Sequence, residues 1–185
     1  MRKNYGVKAA VYPMPVFILA TYDDDGTPNA MTAAWGGISE ENEISICISA
    51  DHQTTFNIEK RKAFTVSMGD EKHVKECDYL GIVSGKKVKD KVQKAGLTVT
   101  PSELVDAPII NEFGVCVECR LKSWEPERCR LVGEIVNVSV DDSCLTDGKV
   151  DISKVRPITY DSFNHNYNVI GEKVGNAYKD GLEIK

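Results

Sequence analysis

The chain has 185 residues and a formal net charge of −5 at pH 7, from 28 acidic and 23 basic residues. This length suits a single domain over residues 1–185 with a full hydrophobic core, and the ordinary shares of hydrophobic (42%) and charged (28%) residues exclude a disordered or fibrous chain. The negative charge argues against nucleic acid as a partner, because proteins that bind nucleic acids usually present a basic face.

The N-terminal part of the chain gives no signal for export or membrane insertion. Arg2 and Lys3 are followed only by a short apolar run at 16–20, which comes after two prolines and is unlike a signal peptide. No stretch approaches the roughly 18 apolar residues of a membrane span. We therefore expect a cytoplasmic protein with no membrane partner, in which the six cysteines stay reduced.

The first predicted strands form a hairpin. Residues 16–22 are rich in β-branched and aromatic side chains, and the Asp-Gly and Pro signals within 23–29 indicate a turn. The extended pattern then resumes and ends at the paired glycines 36–37. Residues 43–50 alternate isoleucine with small side chains, and this period of two predicts a half-buried strand.

A short helix is predicted after that strand, with Thr54 as a candidate N-cap, and residues 63–68 return to a strand pattern. A second helix follows and leads into a glycine-bearing loop at 84–85. A third, short helix stops at Gly96, which is a typical helix terminator.

Three further strands are predicted at 97–100, 113–124 and 130–140, and the last two are long enough to pair as a hairpin. Antiparallel strands with short connections and few helices predict a β-barrel with helical decoration. The two commonest phosphate-binding loops, G-x-G-x-x-G and G-x-x-x-x-G-K-[ST], are absent from the sequence. A nucleotide would therefore have to be held in another way.

The sequence gives little support for a hydrolase or for a metal site. The histidines are His52, His73 and His165, no two of them have the spacing of a zinc site, and no G-x-S-x-G motif is present. Cys116 and Cys119 suggest a redox or zinc pair. However, residues three apart on a strand point to opposite faces, so we expect neither a metal nor a dithiol role there.

Small polar residues collect at the ends of predicted elements, a pattern suited to anions and heterocycles. They are Asn29 and Thr32 after the first turn, residues 49–54 before the first helix, and the loop at 84–85. A helix start offers free backbone N–H groups and a positive dipole end to a phosphate, but the same residues could simply cap the helix. The five lysines within 86–94 could likewise attract a phosphate or form a solvated helix face.

Four blocks of the sequence, in this order, resemble the flavin reductase-like, flavoredoxin-type family. They are PMPVFILATYDDDGTPNAMTAAW; TTFNI followed by AFTVSM; GIVSGKKVKDK followed by DAPII; and RLVGEIVNV followed by PITYDSFNHNYNVIGEKVG. The likeness covers nearly the whole chain. It implies a mostly β, antiparallel split β-barrel with a few short inserted helices, a homodimer, and FMN bound non-covalently near the subunit interface.

The resemblance also implies which residues hold the FMN. The residues expected along the isoalloxazine are Asn29, Met31, Thr32, Ala33, Ala34 and Trp35. The residues expected at the ribityl chain and phosphate are Ser49, His52, Thr54 and Asn57. A loop carrying Ser84, Gly85 and Lys91 is expected beside the flavin. The sequence leaves open whether Trp35, Tyr160 and Tyr167 stack on a flavin or fill the core.

In function, the resemblance implies an FMN-binding oxidoreductase. One form is a flavin reductase that takes electrons from NADH or NADPH and passes them to a small molecule; the alternative is a flavoredoxin-type carrier that exchanges electrons with a redox protein. Many relatives carry a Gly-Asp-His before the VGE strand, but Arg128 stands here at the position of the His, which puts NAD(P)H use in doubt. Arg128 could instead engage a negatively charged donor or lie in solvent. The third hypothesis is a barrel that binds some other small ligand or serves only as an interaction module.

Overall fold

The computed structural model describes residues 1–184, and β-strands make up most of its regular secondary structure. The strands, in chain order, are β1 (Met14–Pro15), β2 (Phe17–Tyr22), β3 (Pro28–Ala33), β4 (Gly36–Glu40), β5 (Glu43–Cys47), β6 (Ala63–Met68), β7 (Val99–Pro101), β8 (Pro108–Ile110), β9 (Val115–Glu125), β10 (Arg130–Val140), β11 (Leu145–Thr146), β12 (Lys149–Val150), β13 (Ile158–Asp161) and β14 (Asn166–Val169). The helices are α1 (Gln53–Arg61), α2 (Val74–Ile82), α3 (Lys91–Lys94) and α4 (Ile152–Val155). No described helix has the length and apolar character that a membrane crossing requires.

Seven strands form one antiparallel sheet in the order β3-β2-β6-β9-β10-β5-β4. Only residues 34–35 separate β3 from β4, yet these strands lie at opposite edges of the sheet. Because so short a connection cannot cross a flat sheet, the sheet must curl until its edges approach. The predicted class, a mostly β antiparallel barrel with short inserted helices, is confirmed, as are the hairpins β2–β3 and β9–β10.

Hydrophobic side chains pack on both faces of this sheet. Ile44 and Ile46, with Ile48 just after β5, are 1–3% exposed and face the inside of the curl, which confirms the predicted alternation. In β2, Leu19 faces the same cluster, while Ile18 faces a second cluster beneath α2. A strand buried on both faces has a continuous apolar run rather than an alternating one, as β2 does.

The start of α1 differs from the sequence expectation. The N-cap is His52, with extended backbone angles, and Thr54 is the second helical residue. Thr54 does not cap because its hydroxyl accepts a hydrogen bond from the Asn29 amide, while the hydroxyl of Thr55 donates to the Ser49 carbonyl at 2.7 Å. Tertiary contacts therefore use the hydroxyls that the local pattern assigned to capping.

The structure also shows where the lysines of 86–94 and the two cysteines of β9 lie. Lys86, Lys87 and Lys89 are exposed in the loop before α3, whereas Lys91 is 2% exposed, so a solvated helix face is the wrong interpretation for Lys91. Cys119 belongs to the core inside the curl, and Cys116 lies on the opposite face of β9, as predicted from their spacing. Within residues 1–184 no three His, Cys, Asp or Glu side chains are grouped so that they could hold a metal ion.

Candidate functional site

A cavity of about 150 Å³ lies between β3, the start of α1 and the loop after α2; we call it the α1 cavity. It is lined by Met31, His52, Gln53, Thr54, Leu80, Gly81, Ile82, Val83, Ser84, Gly85 and Lys91. Six of these residues come from three separate sequence blocks predicted to meet at a ligand. The structure therefore brings together Met31, His52, Thr54, Ser84, Gly85 and Lys91.

The first turn of α1 presents an uncapped helix start to this cavity. His52, Gln53 and Thr54 all line it. No side chain within residues 1–184 caps the helix, and the first turn contains no acidic residue. The first N–H groups of a helix have no partner within the helix, and the helix dipole is positive at that end. This arrangement suits the phosphate of a ligand.

A buried polar network fixes the helix start against the β2–β3 hairpin. The Asn29 amide donates to the Thr54 hydroxyl at 2.8 Å, and the Asn57 amide donates to the Asp23 carboxylate at 2.6 Å. Gln53 in turn donates to the Asn57 side-chain oxygen at 2.9 Å. Asn29 and Asn57 are 1% exposed and do not line the cavity, so the structure places them as supports of the residues that do.

Gly85 packs directly on this network. A Cβ atom at position 85 would lie 2.3 Å from Oδ1 of Asn29, which leaves no space for any side chain. That Oδ1 atom is buried and has no hydrogen-bond partner among the described residues. The absence of a side chain at Gly85 thus lets the loop approach the hairpin and form the cavity wall.

Lys91 is part of the same wall. Its Nζ donates to the carbonyl oxygens of Leu80 at 3.0 Å and Val83 at 2.7 Å. Burial lowers the pKa of Lys91 to about 8, and the negative charge of Asp23 partly opposes this shift. Lys91 therefore ties α3 to the segment that lines the cavity.

A second cavity, of about 330 Å³, adjoins the first and shares Gly81 and Ile82 with it; we call it the aromatic cavity. It is lined by Val16, Thr32, Ala34, Asp78, Gly81, Ile82, Tyr160, His165 and Tyr167. Thr32 donates to the Cys77 carbonyl at 2.5 Å, which fixes the end of β3 against α2. Gly81 lies against Thr32, since a Cβ there would be 3.3 Å from the threonine Cβ.

Two hydrogen bonds orient the aromatic walls. The Tyr160 hydroxyl lies 2.9 Å from Nδ1 of His165, and the Tyr167 hydroxyl donates to Asp78 at 2.9 Å. Burial and this bond to Asp78 raise the pKa of Tyr167, so its hydroxyl stays protonated at neutral pH. Both tyrosines also pack against the second hydrophobic cluster, so each one borders the core and the cavity.

Some predicted residues lie elsewhere. Ala33 points into the core, and Ser49 reaches neither cavity but accepts the Thr55 hydrogen bond that steadies α1. Trp35 is 54% exposed and lines a separate groove of about 400 Å³ formed with residues 8–15. Arg128 lies exposed in the turn between β9 and β10, 3.7 Å from Glu125 and outside both cavities.

Sequence reasoning missed several residues of the site. Asp23, Asp78 and His165 were not singled out as site residues, because no local pattern ties them to a ligand. A partial signal existed in the fourth family-like block, which contains Tyr160, His165 and Tyr167 within eight residues. Residues at that spacing meet when two antiparallel strands pair, and β13 and β14 set Tyr160 opposite Tyr167.

Comparison with known proteins gives a consistent result. The model of the family described as "Flavin reductase like domain" matches residues 9–160. Flavoredoxin of Desulfovibrio vulgaris (Miyazaki F) superposes with a TM-score of 0.93 and 38% identity, covering 98% of this chain and all of that chain. Flavoredoxin from Methanosarcina acetivorans superposes with a TM-score of 0.84 and 29% identity, covering 98% of this chain and 96% of that one.

A more distant structure shares the fold alone. Nitrilotriacetate monooxygenase component B from Bacillus cereus has a TM-score of 0.77 and 21% identity, covering 90% of this chain and 89% of that chain. These matches confirm both the predicted resemblance and the predicted split-barrel class.

Proposed function

The chain belongs to the flavin reductase like domain family, and from this we propose that it binds FMN non-covalently and uses it to transfer electrons. The observation that carries the proposal is that two cavities adjoin and differ in their lining residues. One is closed by an uncapped helix start, and the other is walled by two tyrosines and a histidine. An anionic phosphate and a flat ring system are the two ends of FMN.

The residues present fit such a ligand. The first-turn N–H groups of α1, with Thr54 and Ser84 beside them, would hold the phosphate and ribityl chain. The aromatic cavity would hold the ring system, with Ala34 and Gly81 small enough for the backbone to approach it. Micromolar to nanomolar affinity would correspond to a binding free energy of roughly −8 to −12 kcal/mol.

When bound, FMN supplies hydride and single-electron transfer chemistry. The protein's own contribution is then to orient the ring and limit water. The Thr32 bond to the Cys77 carbonyl fixes β3, and the bonds from Tyr160 and Tyr167 fix the aromatic walls. Fixed walls exclude solvent and hold polar atoms in one arrangement, which tunes the electron affinity of a bound ring. No side-chain acid or base is assigned.

Two forms of the function differ in the electron donor. The flavoredoxin-type carrier, with a redox protein as donor or acceptor, is favoured by 38% identity to a flavoredoxin across almost the whole chain. It is also favoured by Arg128, which replaces the family His and lies exposed, outside both cavities. The NAD(P)H-dependent reductase with a small-molecule acceptor is the second candidate, supported by the family itself.

A homodimer is part of the proposal. Strand β4 is an edge of the main sheet and exposes Ile38 at 69%. Trp35, which precedes β4 in the chain, is 54% exposed. Exposed apolar side chains on a sheet edge favour association with a second copy. Sedimentation equilibrium tests this; a monomer at all concentrations would contradict it.

Absorption spectra of the purified protein, with and without added FMN, test the cofactor. Bands near ~370 and ~450 nm that co-elute with the protein are expected for a bound oxidised flavin. Anaerobic addition of NADH or NADPH then separates the two forms, because bleaching at a catalytic rate supports the reductase and slow bleaching supports the carrier. A protein without flavin bands that leaves the spectrum of added FMN unchanged would refute the proposal.

The variant His52→Asp tests the phosphate position. Aspartate is a preferred N-cap, so α1 should fold at least as well, but its carboxylate competes with a phosphate for the same N–H groups. We expect FMN affinity to fall about tenfold or more, equivalent to roughly 1.4 kcal/mol. Riboflavin, which lacks the phosphate, is the control ligand, and its affinity should fall much less in this variant. Equal losses for both ligands would place the phosphate elsewhere.

A further inference from the structure

A buried lysine ammonium group belongs to the wall of the α1 cavity. Lys91 is 2% exposed, and the two carbonyl groups that accept from its Nζ belong to Leu80 and Val83, both of which line the cavity. Among the ion pairs of the described chain, none includes Lys91. Among the described residues, carbonyl dipoles and more distant charges are therefore what balances its positive charge.

When a buried ammonium group has no paired carboxylate, its protonated form is only weakly stabilised. Desolvation favours the neutral amine and brings the pKa of Lys91 down to about 8. A negative charge placed in the adjoining cavity would act in the opposite direction, because an anion favours the protonated form. Because Lys91 and both carbonyl groups that accept from it belong to the cavity wall, the charge of Lys91 and a charge in the cavity interact at short range.

We propose that Lys91 is a positioning residue through which the binding of FMN in the α1 cavity is coupled to the uptake of one proton. The inference rests on the proposed FMN function and deepens it. Charged Lys91 holds the Leu80 and Val83 carbonyls and keeps the wall of the cavity in place. Where Lys91 is neutral in the free protein, the amine takes a proton from solvent when the phosphate-bearing ligand binds. The ligand itself is unchanged.

The other charged groups around Lys91 do not replace it in this role. Asp23, on the hairpin side, is buried, and its negative charge raises the pKa of Lys91. Asp90 and Lys94, on the same helix, are half-exposed and pair with each other at 3.0 Å. On α2, Asp78 is exposed and accepts a hydrogen bond from Tyr167. His52, which lines the cavity, and the loop residues Lys86, Lys87 and Lys89 are also exposed, so solvent screens their charges. Strand β3, which packs on α3, carries no charged residue.

The coupling between FMN binding and proton uptake predicts how much the FMN affinity changes with pH. With a free-protein pKa of about 8 and a much higher value in the complex, FMN affinity should fall about tenfold between about pH 7 and pH 9. At about pH 8.5, complex formation should take up roughly three-quarters of a proton. A lysine that merely packed against the wall would change affinity on substitution, but it would not produce a proton uptake with this pH profile.

The experiment measures FMN binding to the full-length protein by fluorescence quenching across this pH range, and counts protons by calorimetry in two buffers of different ionisation enthalpy. In Lys91→Arg the guanidinium stays charged, so the pH dependence should flatten while binding persists at about pH 9. Lys94→Met, an exposed lysine on the same helix, is the control and should keep the wild-type profile. The proton count needs no variant, so it decides the question even if Lys91→Arg folds poorly.

The outcomes separate the inference from the function on which it rests. FMN binding at pH 7 that weakens as expected, with proton uptake, supports both. FMN binding with constant affinity and no proton uptake refutes the role of Lys91 and leaves the proposed function standing. No FMN binding at any pH refutes both. A wild-type profile in Lys91→Arg would show that another group takes the proton, and would overturn the assignment to Lys91.

Discussion

Gly85 is a position at which a single methyl group should damage the candidate site. In Gly85→Ala the new Cβ would lie 2.3 Å from Oδ1 of Asn29 and 3.3 Å from Cβ of Gln53. Ordinary contact begins at 3.4 Å, so the Asn29 amide would have to retreat by about 1 Å. That movement breaks the 2.8 Å hydrogen bond from Asn29 to Thr54, which holds the first turn of α1 in place.

The magnitude follows from two contributions. Overpacking a filled site costs about 1–3 kcal/mol, and a lost buried hydrogen bond costs about 1 kcal/mol more. We therefore expect the free energy of unfolding to fall by about 2–4 kcal/mol in urea denaturation. FMN affinity should fall as well, because the displaced Thr54 lines the α1 cavity.

A double-variant cycle tests the stated cause. Combining Gly85→Ala with Asn29→Ala removes the atom that the new methyl group meets, so the loss should be smaller than the two single losses added together by about 1–3 kcal/mol. Gly171→Ala, where a Cβ meets nothing within 4 Å, is the control and should stay within about 0.5 kcal/mol of wild type. A Gly85→Ala protein with unchanged stability and FMN affinity, or additive losses in the double variant, would refute the reasoning.

Further predictions concern the supports of the site and the chain's surface. Asn57→Ala leaves buried polar partners unsatisfied and should lower the free energy of unfolding by about 2–4 kcal/mol in urea; a change below about 0.5 kcal/mol would contradict the network. The Tyr12 hydroxyl donates to Asp161 and holds the pKa of that carboxyl at about 2, so this stabilisation is present above about pH 4 and is lost as the pH falls toward 2. The melting temperatures of wild type and Tyr12→Phe should therefore differ at neutral pH and converge in acid; a constant difference would exclude this origin. Iodoacetamide should label exposed Cys47 in the native protein but spare buried Cys119, whose pKa burial raises to about 12; equal labelling by mass spectrometry would contradict the core placement.

Much of the fold could be predicted because local sequence patterns determine its strands and hairpins. The alternation of Ile44, Ile46 and Ile48 indicates a half-buried strand at whatever place in the fold it occurs, since the period of two is a property of the strand itself. The hairpins β2–β3 and β9–β10 follow from turn signals between two extended runs. The short edge strand β4 was missed as a separate element, because its two glycines read as the end of a strand.

The candidate site was predictable only where family resemblance supplied the positions. The resemblance named Met31, His52 and Thr54, and the structure sets all three around one cavity. Their roles within the fold were not predictable from local sequence. The local sequence predicts that Thr54 caps the helix, but its hydroxyl accepts a hydrogen bond from the Asn29 amide. Because Asn29 is 25 positions away in the sequence, no local pattern could show this contact.

The sequence by itself determined the class of the protein: a β-rich chain with negative net charge and a family-like series of motifs, because composition, period and motif order are properties of the chain alone. Only the tertiary structure decided which polar groups are buried and what they contact. Lys91 is one of five lysines within nine residues; the family resemblance places it near the flavin, but no local pattern shows that it alone is buried. It differs because folding removes it from water and sets its ammonium group against two carbonyl oxygens at the wall of a cavity, and desolvation and contact distance exist only once the chain has folded.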